Sequence, residues 1–141
     1  MMLYRALDRI MPAYRALFTR HGITEPQWRV LRVIWSSRNV TSRMLAERTL
    51  LSPPSLVSII DRLEAKGLVT RVRSVEDRRA AFVVATADGR ALQERVMPEV
   101  ALIQERLRGS LPDEGWSTLE ALLDHLSTDL STHSAQEVRT A

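Results

Sequence analysis

Thr41-Ser42-Arg43-Met44-Leu45-Ala46-Glu47-Arg48-Thr49-Leu50-Leu51-Ser52-Pro53-Pro54-Ser55-Leu56 is the stretch whose reading decides the fold. Thr41 stands at a helix N-cap, and Met44, Leu45 and Arg48 fall on successive turns of a short helix, with Ala46 at a tight crossing. Thr49-Leu50-Leu51 is a turn without the glycine such turns often carry. Ser52 then caps a second helix. Its first residues, Pro53 and Pro54, are tolerated because the first turn's N–H groups have no partner within the helix. Leu56, Ile60 and Leu63 form its inner face, Gly67 ends it, and Leu68 supplies the apolar contact just beyond. Strand character follows at 68–73 and again at Ala81–Ala85, where Phe82 and Val84 alternate with Val83 and Ala85. The charged run Ser74–Arg79 joins the two. Helix, turn, helix and hairpin in that order describe a winged helix-turn-helix, a module that places its second helix in a DNA groove.

Working outward, Thr24-Glu25-Pro26-Gln27 opens a helix before this module. Thr24 caps, Pro26 sits in the first turn and Gln27 completes a capping box. Trp28, Leu31, Ile34 and Trp35 give that helix its buried face, and it ends near Ser37. A first helix spans about 3–20 and stops at His21-Gly22. After the module, Thr86 caps a long helix from Asp88 to about Arg108, expected to bend at Pro98, and a last helix starts at Pro112.

The two end helices carry narrow apolar seams, Leu3-Leu7-Ile10-Tyr14-Leu17 and Trp116-Leu119-Leu123-Leu126-Leu130, each at alternating steps of three and four residues. A 3.5-residue period marks a seam against one partner helix rather than a broad core face. The expected fold class is therefore mostly α with a small β-hairpin wing: a winged helix-turn-helix lobe over 24–87 and a helical dimerisation region from 1–22 and 88–133. Residues 134–141 read as a polar, frayed tail.

Bulk properties agree with one globular domain. The chain has 141 residues, 45% hydrophobic and 26% charged. No apolar run reaches the ~18 residues of a membrane span, and Arg9, Arg15 and Arg20 interrupt any signal-peptide core, so a cytoplasmic location is expected. Cysteine is absent, which excludes disulfides, thiolate metal sites and thiol redox sensing. The net charge of +3 is small, but residues 1–48 hold nine Arg against three acids, whereas 112–137 hold six acids and no Lys or Arg. A basic body with an acidic end suits a DNA-facing and a DNA-averse side; ordinary sampling of surface charge is the plainer account.

If the second module helix enters the major groove, Ser52, Pro53, Pro54, Ser55 and Ser58 do the reading, with Arg62 a turn later. Serine bonds a base edge or a phosphate, and proline can touch a thymine methyl. Ser-Pro-Pro-Ser is equally a good helix start, and Arg62 could brace the module through Asp61. Arg71 and Arg73 are placed for phosphate contacts. In the wing, Asp77 can hold an Arg extended by a charge-assisted bond, so that Arg78 and Arg79 could reach a narrow minor groove; an ion pair that only orders the hairpin is the alternative. There is no Gly-rich phosphate loop, nucleophile elbow or HExxH, so no enzyme is expected. A dimer that organises DNA without sequence preference remains an alternative to a specific regulator.

Ser55-Leu56-Val57, Asp61-Arg62-Leu63-Glu64-Ala65-Lys66-Gly67-Leu68-Val69, Asp77-Arg78-Arg79, Thr86-Ala87-Asp88-Gly89 and Ile23-Thr24-Glu25-Pro26-Gln27-Trp28-Arg29-Val30-Leu31 together resemble the MarR family of bacterial transcriptional regulators over nearly the whole chain. The resemblance implies a homodimer on a palindromic double-stranded operator, joined through its terminal helices, with Arg79 reaching the minor groove. It implies repression relieved by a small phenolic or aromatic carboxylate held between the dimer region and the DNA-binding lobe. Arg15, Trp28 and Arg32 match that crevice, and Tyr14 and Phe18 could extend its wall; an Arg forks onto a carboxylate while an indole offers a flat apolar face. The same residues read without the resemblance are core and solvated surface. A zinc-sensing mechanism is set aside because His21, His125 and His133 lie far apart in sequence. No cofactor is expected.

Overall fold

The protein, seen as a computed structural model, is described over residues 1–73 and 81–140, without the side chains of 129–140. Asp77, Arg78 and Arg79 lie outside the described residues. The order is α1 (Met2–Arg20), α2 (Glu25–Ser36), α3 (Ser42–Thr49), α4 (Pro53–Ala65), β1 (Val69–Arg73), β2 (Ala81–Ala85), α5 (Ala87–Arg108) and α6 (Asp113–Thr140). This is the mostly helical chain with one small hairpin that the sequence describes. β1 and β2 pair antiparallel, from Val69 opposite Ala85 to Arg73 opposite Ala81, and Val40 adds one bridge to Val83.

Threonines start three of these helices. Thr24 and Gln27 form the full capping box on α2, Thr41 accepts from the Met44 N–H at 3.2 Å, and Thr86 accepts from the Gly89 N–H at 3.0 Å. Ser52 departs from expectation. It occupies the N-cap position of α4, yet its hydroxyl makes no bond to the helix backbone and donates to Ser55 Oγ at 2.8 Å instead. Pro54 explains part of this, because a cap bonds the second or third N–H of the helix and the second here belongs to a proline. The glycine-free turn has its own solution: Leu50 takes the left-handed conformation (φ 55°) that usually falls to glycine.

The chain forms two compact units, Met1–Ala101 and Leu102–Ala141. In the first, α2 is the central helix and buries Trp28, Val30, Leu31, Val33 and Ile34. α4 buries Leu56, Ile59, Ile60 and Leu63 beneath its outer face. α1 buries only Leu17 and Phe18, and α5 contributes Leu92, Val96 and Val100. Gly89 lies so close to the turn before β1 that a Cβ there would meet the Leu68 carbonyl oxygen at 2.0 Å. Trp35, expected in the buried face of α2, is only half-buried.

In the second unit, Trp116 of α6 donates its indole N–H to the Arg108 carbonyl at 2.6 Å, closing the α5–α6 turn. Of its leucines, Leu122, Leu123 and Leu126 are exposed and Leu119 is half-buried. α6 runs on to Thr140, past Ser134 where a frayed tail was expected, and α5 passes through Pro98 as one helix.

Candidate nucleic-acid interface

With four apolar residues of α4 buried, its opposite side presents Pro53, Pro54, Ser55, Val57, Ser58, Asp61 and Arg62 to solvent. All the α4 reading residues proposed from the sequence therefore share an exposed face. Val57 belongs with them and was missed; 52% exposed, it is an apolar contact of the kind a thymine methyl accepts. Its signal was spacing alone, because 53, 54, 57, 58 and 61 fall on one side of a helix. A cavity of about 560 Å³ runs beside this face between Pro54, Ser58 and Arg62 of α4 and Thr24 and Pro26 at the start of α2.

Two cations fix the far end of α4. Arg71 on β1 donates to Asp61 at 2.6 Å and also pairs with Glu64, whose carboxylate accepts the Arg71 backbone N–H at 3.1 Å. The bond to Asp61, followed by that to Glu64, raises the Arg71 guanidinium above its ordinary value. Lys66 donates to the Gly22 carbonyl at 2.7 Å and to Gln27 Oε1 at 3.2 Å, tying the end of α4 to the α1–α2 corner. Gln27 thus serves a cap and a brace with one oxygen. Arg62, suggested as a brace, has no ion-pair partner among the described residues, whereas Arg71, suggested as a phosphate contact, is the residue held by Asp61. Arg73 is exposed at the end of β1.

α3 is held as firmly. Arg48 donates to Ser37 Oγ at 2.7 Å, and the buried Thr49 hydroxyl donates back to the Leu45 carbonyl at 2.6 Å. The first ties α3 to the end of α2, and the second is a bond within α3 itself.

The residues suggested for an effector form an aromatic row. Tyr14 and Phe18 are 6.0 Å apart, Phe18 stacks on Trp28 at 5.2 Å, and Trp35 meets Trp28 edge-on at 5.8 Å. Burial pushes the Tyr14 phenol above its ordinary value, and the Arg32 charge pulls against it, which places Arg32 beside the row. Phe18 and Trp28 are buried, so their faces serve the core first. Arg15 is exposed on α1. His21 lies against Glu99 of α5 at 2.7 Å, with Arg20 on the same carboxylate; these partners hold the Glu99 carboxyl below its ordinary value, His21 first. Among the described residues no group of three or more metal-binding side chains comes together, and no helix is long and apolar enough to cross a membrane.

A braced helix with a small, polar outer face, followed by a two-stranded hairpin, defines a winged-helix DNA-binding protein. The MarR family profile matches residues 21–80. The homoprotocatechuate degradative operon repressor of Escherichia coli is 30% identical over 122 residues, covering 86% of this chain and 82% of the relative. The crystal structure of NadR in complex with 4-hydroxyphenylacetate superposes with a TM-score of 0.77 at 31% identity, covering 88% of each chain. That of BpsR from Bordetella bronchiseptica, solved for the regulation of its DNA binding by 6-hydroxynicotinic acid, superposes with a TM-score of 0.79 at 25% identity, covering 89% of this chain and 90% of the other. The chain belongs to the MarR family of transcriptional regulators, DNA-binding proteins rather than a family of enzymes.

Proposed function

We propose that this protein is a dimeric repressor acting in the cytoplasm. It reads a palindromic operator through α4 and the wing and releases it when a small aromatic acid binds between α1 and α2. The observation that carries the reading is α4 itself. Its outward face offers serines, prolines, Val57 and Arg62, while Arg71 and Lys66 clamp its other end, so the helix is presented as a rigid unit. Ser52, Pro53, Pro54, Ser55 and Ser58 read bases or phosphates, Arg62 and Arg73 meet phosphates, and Arg71 positions. Arg79, oriented by Asp77 and flanked by Arg78, reaches the minor groove.

The effector reading draws on the ligands named for NadR and BpsR and on the Tyr14–Phe18–Trp28 row, with Arg15 and Arg32 as carboxylate partners. A ligand releases DNA only through a preference for a dimer whose two α4 helices no longer fit one face of the operator. Selection from random duplexes, followed by fluorescence anisotropy on the recovered site, tests this. The expected result is a palindromic site whose affinity ratio over random DNA survives at physiological salt. Titration with 4-hydroxyphenylacetate or 6-hydroxynicotinate should release it, and Arg32→Ala and Arg15→Ala should blunt the release. Recovery of no preferred site would instead mark a non-specific DNA-organising dimer.

A further inference from the structure

Links from two different helices meet at adjacent residues of the corner between α1 and α2. On one side, the His21 ring lies 2.7 Å from Glu99 of α5, and Arg20 pairs with the same carboxylate. On the other, the Gly22 carbonyl accepts a bond from Lys66 at the end of α4, at 2.7 Å. The helix that follows the wing and the helix with the exposed serine-proline face therefore hold neighbouring residues of one turn.

Three features make this corner a joint rather than a slack loop. First, its backbone is closed on both sides of the bonded carbonyl. The Gly22 N–H donates to the Thr19 carbonyl and the Ile23 N–H to the Phe18 carbonyl, both at 3.0 Å, and Ile23 is buried. A turn held in this way passes a displacement on instead of absorbing it. Second, Lys66 also donates to Gln27 Oε1 at 3.2 Å, an oxygen that accepts the Thr24 N–H at 3.1 Å, and Gln27 is buried. The joint is thereby anchored in the start of α2. Third, both acceptors of Lys66 are uncharged oxygens, and Lys66 makes no ion pair among the described residues. Two of the three donors of the ammonium are engaged within the protein, which is the use of a tether rather than of a charge left free for a phosphate.

We infer, taking α4 as the helix that reads DNA, that Lys66 and Glu99 are positioning residues acting through this corner, so that the placement of α5 sets how α4 is presented to the operator. Lys66 stands two turns beyond Ser58, about 12 Å along the helix axis. A hydrogen bond from the reading face weakens steeply past about 3.2 Å, so a tilt of α4 too small to disturb the core is felt there. Any change that moves α5 against α1 then reaches α4 without touching DNA or the wing.

Three measurements on the intact protein test this: affinity for the selected operator, affinity for random duplex, and the dependence of each on salt. Lys66→Met should weaken operator binding by about tenfold, change random-duplex binding by less than about twofold and leave the salt slope as in the parent. Both affinities scale with the folded fraction, so their ratio does not respond to a simple loss of stability. Lys66→Arg, which keeps a cationic donor, should restore most of the ratio. Glu99→Ala should lower the ratio too, and should lower it no further in the Lys66→Met background, because the two act through one corner. An unchanged ratio in Lys66→Met overturns the inference. So does an equal loss on both duplexes with a shallower salt slope, which would make Lys66 a phosphate contact, and so do losses that simply add. Hydrogen exchange without DNA separates this from the reading of α4. Glu99→Ala should speed exchange at the Lys66 and Gly67 amides, which bond the Arg62 and Glu64 carbonyls, and Lys66→Met should remove that response. A parent that selects an operator but shows no such response overturns the joint alone. A response in a protein that selects no operator keeps the joint and overturns the repressor reading instead.

Discussion

Leu50 takes a backbone conformation that costs an L-residue about 1–2 kcal/mol relative to right-handed backbone. It does so at φ 55° with its side chain 83% exposed, so little burial compensates it. The turn between α3 and α4 needs that conformation to start α4 at its angle, and the cost is borne locally. Leu50→Gly should therefore hold or raise stability by up to ~1 kcal/mol, the relief of strain exceeding the extra unfolded-state freedom of glycine. Leu50→Val should lower stability, because a β-branched side chain fits left-handed backbone worst. Paired chemical denaturation of the two variants checks the opposite signs; a loss on glycine substitution would show that Leu50 makes a contact worth more than its strain. The residue scale also shows what a sequence hides. Ser52 occupies a cap position, but the proline two residues on removes one of the N–H groups it could have bonded. That the Trp35 indole N–H has no hydrogen-bond partner among the described residues had no sequence signature, since a half-buried tryptophan on a helix face reads as core.

Elements are joined by contacts of two kinds, and only one kind was legible. Caps are local, so Thr24, Thr41 and Thr86 announced the starts of α2, α3 and α5 from a few neighbouring residues. Braces are not local: Lys66 reaches Gly22 across 44 positions and Arg71 reaches Asp61 across 10. No spacing rule selects Arg71 over Arg62 as the brace. Gly89 joins the two kinds. It opens α5 under the Thr86 cap, and a Cβ there would come within 2.0 Å of a backbone oxygen that cannot rotate away. Gly89→Ala should destabilise the fold by roughly 1–3 kcal/mol through overpacking, although alanine is the better helix former; urea denaturation measures it, and an unchanged midpoint would mean that α5 shifts freely. The link from the end of α1 to α5 should respond to pH. Glu99 is held below its ordinary value in the folded chain, so its contribution is present above the unfolded carboxylate range and is lost as pH falls through the lowered folded value. Melting temperatures of the parent and Glu99→Gln should differ most near neutral pH and converge only once pH has fallen through the lowered folded value, and added salt should shrink the neutral-pH difference because the ion pair with Arg20 is exposed. A gap that widens in acid would contradict the assignment.

For the molecule as a whole, the leucine seams are the feature a single chain leaves unexplained. Leu3 and Leu7 on α1 are 57% and 52% exposed, and Leu123 and Leu126 on α6 are 39% and 48% exposed. Apolar residues repeated at a 3.5-residue period and left in water cost free energy that a second copy of the same helices would recover. The seams were legible because their period is a local property, but what would cover them was not, since a period carries no information about a partner. An interface of this kind should bury more than ~2,000 Å² in total, as obligate dimers do. Charge placed in it should then be disruptive, because a carboxylate cannot be buried without a partner. Leu7→Glu combined with Leu126→Glu is expected to halve the mass seen by light scattering at micromolar concentration. The consequence for DNA follows from geometry. Two α4 helices held about 10 base pairs apart, or a multiple of it, bind a palindrome as one event, and separate lobes must bind each half-site alone. Operator affinity should therefore fall by about 100-fold or more in the charged variant, the size of an effective-concentration effect rather than of a lost contact. Circular dichroism should show the lobe still folded, because Leu7 and Leu126 lie outside its core. If the variant remains a dimer, the seams are not the interface. If it becomes a monomer and still binds the operator as tightly as the parent, the two-fold reading of the operator is wrong.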